Sequence, residues 1–232
     1  MQNRWIAEGT RFLSGRDFVL TCKLRNNAMP TMSRTSRGRI HDRSCRAGCN
    51  APETLNHVLQ TCHRTHDARI RRHDAVVAYL ARGLEQRNYR VTREAEFRTE
   101  EGVRKPDLIA TKRGRSIVID AQVVNDQAIL DLAHKRKAEY YSANASLRRG
   151  IATKCGTDEV QFTSATLSWR GLWSARSAKE LLKTGCINNS DLKVISSRVL
   201  VGGVAAWHIF NRRTSAKKDY LPNRKMERSG VG

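Results

Sequence analysis

Two acids, Asp107 and Asp120, lie in a stretch whose residue types suit metal-assisted phosphate chemistry. Arg104-Lys105-Pro106-Asp107 leads into an apolar run, and the polar turn Lys112-Arg113-Gly114-Arg115 separates it from Ser116-Ile-Val-Ile-Asp120-Ala-Gln122-Val-Val124. The pattern predicts two strands, 106–111 and 116–124, joined as a hairpin. With the turn centred between Arg113 and Gly114, Asp107 falls directly opposite Asp120, with Cβ atoms about 5 Å apart. Two carboxylates that close do not both stay ionised without a counter-charge. A divalent cation held by both, Mg²⁺ above all, supplies one. Paired acids of this kind serve magnesium-dependent phosphodiester cleavage.

Period two puts Val118, Asp120, Gln122 and Val124 on one face of the second strand. A lysine two residues after the second acid would orient or polarise the attacking water, but that position is Gln122. The following segment offers a substitute. A helix is expected from about Gln127 to Tyr141, capped by Asn125 or Asp126, and its inward stripe would be Leu130, His134, Lys137 and Tyr141. Lys135 and Arg136 point elsewhere. Lys137 then either acts at the acids or lays its stem along apolar surface and snorkels to water.

A second constellation is Cys45-x3-Cys49-x7-His57-x4-Cys62. Zinc takes four such ligands in a tetrahedron, and the turn-forming residues between Cys45 and Cys49 and after Cys49 suit a small knuckle. His63 and His66 are competing ligands. The alternative is that the cysteines are small buried hydrophobes. Cys22, Cys155 and Cys186 stand alone and read as packing residues.

The elements that must carry these groups follow from periodicity and composition. The chain has 232 residues, 39% of them hydrophobic, enough for one domain and a smaller module. Its net charge of +21 and pI near 10.5 point to nucleic acid as partner. A basic structural protein of a ribonucleoprotein has the same charge but no use for paired acids. No run of about 18 apolar residues occurs, and Met1-Gln-Asn-Arg-Trp5 lacks the apolar core of a signal peptide, so neither a membrane partner nor a disulfide scaffold is expected. Residues 1–43 read as a basic connector continuing from something upstream. Arg34, Arg37, Arg39 and Arg46 are placed to lie along a phosphate backbone. Residues 44–68 form the knuckle, 69–211 the main domain and 212–232 a basic tail. Within the domain, Ile70, His73, Val77, Leu80 and Leu84 recur at helical spacing over 69–87, and Asn88 is a stop. Strands are expected at 89–97, 160–169 and 193–201, with helices at 177–183 and 204–211. That alternation makes an α/β sandwich with a mixed sheet flanked by helices. Trp169, Arg170 and Trp173 form either a DNA-contacting corner or packing tryptophans beside a surface arginine.

Taken jointly, the basic connector, the CCHC knuckle, Lys105-Pro106-Asp107, Asp120, and Lys137 on the next helix resemble the C-terminal region of site-specific non-LTR retrotransposon polyproteins that insert into ribosomal RNA genes. Phe12-Leu-Ser-Gly15, Cys45 to Glu53, His134 to Lys137 with Tyr141, and Ser168-Trp-Arg-Gly-Leu-Trp-Ser174 carry the same resemblance. It implies a restriction-endonuclease-like, PD-(D/E)xK domain in which Asp107 and Asp120 bind Mg²⁺ and Lys137 is the displaced catalytic lysine. Cys45, Cys49, His57 and Cys62 would bind structural Zn²⁺. Gln122 departs from the usual lysine. Glu85, the only glutamate on the first helix, would be the candidate for the acid that such enzymes take from that helix. The resemblance further implies an upstream reverse transcriptase, target DNA and element RNA as partners, action in the nucleus at ribosomal DNA, and a nick whose 3′ hydroxyl primes reverse transcription. A non-catalytic nucleic-acid-binding module is the competing expectation.

Overall fold

β5 (Arg115–Val124) runs through the middle of the molecule, and its residues from Ser116 to Ala121 are buried without alternation. Burial on both faces marks a central strand covered by helices on each side. The computed structural model describes residues 4–7, 13–36 and 42–215. Arg37, Arg39, Phe12 and the tail beyond Ser215 lie outside them. In chain order the elements are α1 (Arg4–Ala7), α2 (Gly15–Arg25), α3 (Met32–Thr35), α4 (Leu55–Gln60), a 3₁₀ turn (His63–Thr65), α5 (His66–Gln86), β1 (Arg90–Arg93), β2 (Phe97–Thr99), β3 (Gly102–Arg104), β4 (Leu108–Lys112), β5, α6 (Leu130–Ser142), α7 (Ala145–Cys155), β6 (Glu159–Ser168), α8 (Ala175–Lys183) and α9 (Asn189–Ser215).

The main sheet has the order β1-β4-β5-β6; β5 is antiparallel to β4 and parallel to β6. It is therefore mixed, as expected. Arg113 and Gly114 both take positive φ, 51° and 72°, the conformation of a two-residue turn that matches strand twist. The turn sets Lys112 opposite Arg115 and Leu108 opposite Ile119, so the expected register holds. On one side of the sheet, Val76, Leu80 and Leu84 of α5 join Leu108, Ile119, Leu167 and, from α9, Leu192, Ile195 and Val199. On the other, Ile109 and Val118 meet Tyr141, Leu147 and Ile151 of α6 and α7.

Several elements differ from expectation. The run 193–201, read as a strand, lies inside α9. Its β-branched residues favour strand locally, but Leu192, Ile195, Ser196, Val199, Leu200, Gly203 and Val204 are buried at helical spacing, and burial decides over propensity. Small Ser196 and Gly203 had hidden that stripe. The single strand over 89–97 is broken at Glu94, whose φ is 47°, and β2 pairs with β3 in a separate hairpin. α7 is an additional helix beyond those expected, although Asn144 caps its start and Gly156, with φ 63°, ends it. Asn125 accepts from Gln127 N–H but does not cap a helix; α6 begins only at Leu130, after Ile129. On α5 the buried face is Ala68, Arg72, Val76, Val77, Leu80, Ala81 and Leu84, while Ile70 is 47% exposed.

A further core gathers Trp5, Leu24 and Met29, then Leu55, Val58 and Leu59 around the cysteines, and Leu200, Val204, Trp207 and Phe210 of α9. By length and composition α9 could cross a membrane, with a mean hydropathy of 1.2 over its most apolar window. Half of that window is buried in the protein, in the two cores to which α9 contributes.

α5 and α9 approach closely where Arg72, 3% exposed, lies against Gly202. Arg72 Nη2 donates to Leu59 O (3.3 Å) and Gln60 Oε1 (3.2 Å), and burial lowers its pKa to about 10. A Cβ on Gly202 would stand 2.6 Å from Arg72 Cγ and 2.9 Å from its Cβ. Gly202→Ala is thus expected to cost about 1–3 kcal/mol through overpacking. Gly15→Ala, whose Cβ would meet nothing within 4 Å, should be neutral or stabilise by up to about 1 kcal/mol. Urea unfolding of both variants checks the pair, and equal stabilities would contradict the packing described.

Candidate active site and zinc cluster

Asp107 ends the approach to β4 and Asp120 lies in β5, and each carboxylate is held by the other strand. Ala121 N–H donates to Asp107 Oδ2 (2.7 Å), and Asp107 N–H lies 3.4 Å from Asp120 Oδ1. The side chain of Asp120 is 5% exposed and that of Asp107 17%. Burial first, and the Asp107 charge second, push the Asp120 carboxyl above the ordinary carboxylate range, against the pull of Lys137 and Tyr141.

Two helices bring positive charge to this pair. From α6, Lys137 Nζ lies 2.7 Å from Asp120 Oδ2, and Tyr141 Oη donates to Asp120 Oδ1 at 2.8 Å. The Lys137 side chain is 32% exposed, and its Nζ lies over the Tyr141 ring, 5.5 Å from the centroid. Burial and the neighbouring carboxylates raise the Tyr141 hydroxyl well above the usual phenol value. From α5, His73 Nε2 lies 3.1 Å from Asp107 Oδ2, while its Nδ1 is 3.1 Å from Asp74 Oδ1. The bond to Asp107 is the main cause that raises the His73 pKa to about 9. Sequence reading put His73 on an apolar stripe; its only distinguishing signal was the adjacent Asp74.

Other candidate residues are engaged elsewhere. Glu85 is exposed and pairs with Arg93 at 3.6 Å. It lies twelve residues beyond His73 on α5, about 18 Å along the axis, so the structure does not bring it to the acids. Gln122 Nε2 donates to Ala133 O (3.0 Å) and Thr166 Oγ1 (2.8 Å). Arg46 pairs with the fully buried Glu53 at 2.9 Å and donates to Asn211 Oδ1. Arg170 pairs with Asp126 at 2.6 Å, donates to Arg25 O and lies over the Trp169 ring. Trp169 and Trp173 are buried and bonded to Asn56 Oδ1 and Leu192 O, which makes them packing residues. Arg34 is exposed and donates to Asn27 O.

The ligand atoms of Cys45, Cys49, His57 and Cys62 all lie within 4.8 Å of one another. Among the described residues no other group of three or more cysteine, histidine or acidic side chains clusters in this way. Thr54 caps α4, which presents His57, and the turn at Gly48, with φ 82°, lets Cys45 and Cys49 face each other. His57 Nε2 is buried without a partner, whereas Nδ1 sits 2.9 Å from Thr61 Oγ1. A neutral imidazole that donates from Nδ1 has Nε2 free for a metal. Burial and the neighbouring thiols raise the Cys62 pKa to about 12, a crowding that Zn²⁺ would relieve by taking thiolates. The residues fit zinc. His63 Nδ1 lies 3.3 Å from Cys49 Sγ, outside the set of four; Cys22, Cys155 and Cys186 are free and packed.

No protein-family model matches the chain. Sequence relatives do. The Pol polyprotein of the type-2 retrotransposable element R2DM of Drosophila melanogaster is 40% identical over 223 residues, 94% of this chain and 21% of its own length. The homologues of this chain are thus R2 retrotransposon Pol polyproteins. Those from the type-1 element R2 of Nasonia vitripennis and of Bradysia coprophila are 41% and 38% identical, over 82% and 88% of this chain. The chain spans about a fifth of the length of these R2 relatives, 21%, 19% and 23%. A solved protein of unknown function shares 14% identity over 47% of this chain and 54% of its own, at a TM-score of 0.30, too low to assign a fold.

Two measurements follow from this geometry. Thr61→Ala should weaken zinc binding about 10–100-fold, and His57→Ala should abolish it; chelator-competition titration reads both, and an unchanged Thr61→Ala would count against the ligand set. For His73, a folded pKa of about 9 above the ordinary 6.5 means its pairing stabilises fully below about pH 6.5 and is lost as pH rises through about 9. The stability difference between the parent and His73→Gln should therefore shrink across that window. A pH-independent difference would refute the pairing.

Proposed function

We propose that this chain is the endonuclease portion of an R2-type Pol polyprotein, cutting DNA with Mg²⁺ held by Asp107 and Asp120. The observation that carries the reading is the buried, interlocked carboxylate pair with Lys137 on one member. Its oxygen-only donor set suits Mg²⁺, which takes its remaining ligands from water and phosphate. Mg²⁺ bound there would supply a water of lowered pKa and offset charge on the phosphate. The protein's own contribution is positioning. The backbone amides of Asp107 and, in β5, of Ala121 fix the two carboxylates, and Tyr141 holds one oxygen of Asp120 so that the other faces Lys137. Lys137, on a half-exposed stem, meets negative charge that grows on the phosphate in the transition state. His73 steadies Asp107 from the opposite side. The mixed sheet with its acid-bearing hairpin supports a restriction-endonuclease-like, PD-(D/E)xK assignment of the main domain. In this reading the partners are target DNA in ribosomal RNA genes, the element's RNA and a reverse transcriptase linked in the same polyprotein, and the site of action is the nucleus.

One observation favours a second reading, a non-catalytic nucleic-acid-binding module. Lys137 and His73 already place positive charge on both acids, so the pair does not require a metal to be stable. Plasmid nicking in Mg²⁺ separates the two. Asp107→Ala and Lys137→Ala should each lose strand cleavage by about a hundredfold or more while keeping DNA affinity within about threefold, because one phosphate contact among many adds little. Lys135→Ala, whose exposed amine pairs with Glu139, should keep most activity. Equal rates for the two lysine variants would leave the non-catalytic reading standing. Under either reading, log affinity for duplex DNA should fall by about 0.9 per neutralised phosphate with log salt, and a salt-independent affinity would contradict both.

A further inference from the structure

A continuous chain of hydrogen bonds runs between β5, β6, α6 and α8, beside the acids but separate from them. Gln122 Nε2 donates to Thr166 Oγ1 at 2.8 Å, which lies 2.7 Å from Ser164 Oγ. Ser164 Oγ is 2.8 Å from His134 Nδ1, and His134 Nε2 is 3.2 Å from Glu180 Oε2, which also accepts from Thr163 Oγ1 at 2.8 Å. Ser164 and Thr166 are fully buried and His134 is 3% exposed. The parallel register pairs Asp120 with Ser164 and Gln122 with Thr166, so the network begins at the strand positions next to the cleft. Its two attachments to α6 are Ala133 O, which accepts from Gln122 at 3.0 Å, and His134. Both lie in the turn just before Lys137.

Buried polar side chains cost free energy unless every member is satisfied. Apolar side chains at these positions would hold α6 against the sheet without that cost, but apolar contacts tolerate sliding, whereas hydrogen bonds fix one register. Lys137 needs that register: a slide of one residue rise, about 1.5 Å, would carry its amine away from Asp120. Ser164, His134 and Glu180 have the order of a nucleophile relay, yet the buried Ser164 hydroxyl is shared with Thr166 and no substrate reaches it.

We propose that Gln122 and His134 are positioning residues that lock α6 in the register which delivers Lys137 to Asp120. Gln122 occupies the strand position where a lysine would serve the water, and its amide is committed to the helix instead. It holds the element that carries the charge and does not supply the charge. The inference rests on Lys137 acting at the site.

The test combines an activity with a readout independent of it. In the full chain, acylation of the Lys137 amine, followed by mass spectrometry with Lys135 as internal reference, reports release from Asp120. Gln122→Met and His134→Leu should each raise Lys137 labelling several-fold, while His134→Gln, which keeps a donor and an acceptor, should stay near the parent. For nicking, kcat should fall about a hundredfold in the first two variants with KM for DNA within about threefold. In a Lys137→Ala background neither should lower the residual rate further, since residues acting as one unit are not additive. Unchanged Lys137 labelling in folded variants, or fully additive losses, would overturn the proposal. Should Gln122→Met fail to fold, Thr166→Val breaks the same link and is read the same way. A parent that does not nick while labelling still rises in the variants would remove the endonuclease reading and leave the brace intact.

Discussion

Two like charges held side by side in a protein interior set the terms for what surrounds them. Asp107 and Asp120 are brought together by the strand register that a two-residue turn at Arg113–Gly114 enforces, and burial keeps water from screening them. The structure answers with cations from two directions, one on a helix below the sheet and one on a helix above it, and with backbone N–H groups from the paired strands. The flanking helices are thus constrained by electrostatics at one end as well as by apolar packing along their length. That joint constraint explains why the imidazole of α5 and the amine of α6 converge on one edge of the hairpin although they come from opposite layers.

Much of this was legible in the chain. The hairpin register, the inward stripe of α6 with Lys137 and Tyr141, the four zinc-suited side chains and the stop at Asn88 all rest on local rules: turn chemistry, period two, period 3.6 and ligand spacing. What escaped depended on tertiary context. The segment 193–201 is rich in β-branched residues, and only its burial between two cores makes it helical. His73 belongs to a helix stripe that looks apolar until Asp107 is placed beside it. Glu85, the obvious acid by residue type, is too far along α5, a distance that spacing arithmetic reveals only once the register of α5 against the hairpin is known.

The cysteine cluster and the paired acids divide two kinds of chemistry cleanly. The first offers thiols and an imidazole whose free nitrogen is buried without a partner, a soft, closed set suited to a structural metal. The second offers hard carboxylate oxygens, flanked by the His73 imidazole and the Lys137 amine. Between them lies the link from Arg72 to Gln60, whose Nε2 reaches Val124 O at the end of β5. The arginines of this region are less available to phosphate than their number suggests. Arg46, Arg72 and Arg170 are committed to a carboxylate, to carbonyl oxygens or to both.

α9 is the last of the described elements in chain order, yet it supplies side chains both to the core beneath β5 and to the core around the cysteines. During vectorial synthesis every earlier segment therefore emerges before the helix that closes it. The strands and the knuckle can form locally, but neither core is sealed until residues near 192–210 have cleared the ribosome, and such long-range closure is slow. A nascent chain halted before α9 would carry Asp107, Asp120 and all six cysteines while lacking the packing that holds them in place, so the ordered arrangement would arrive late and all at once.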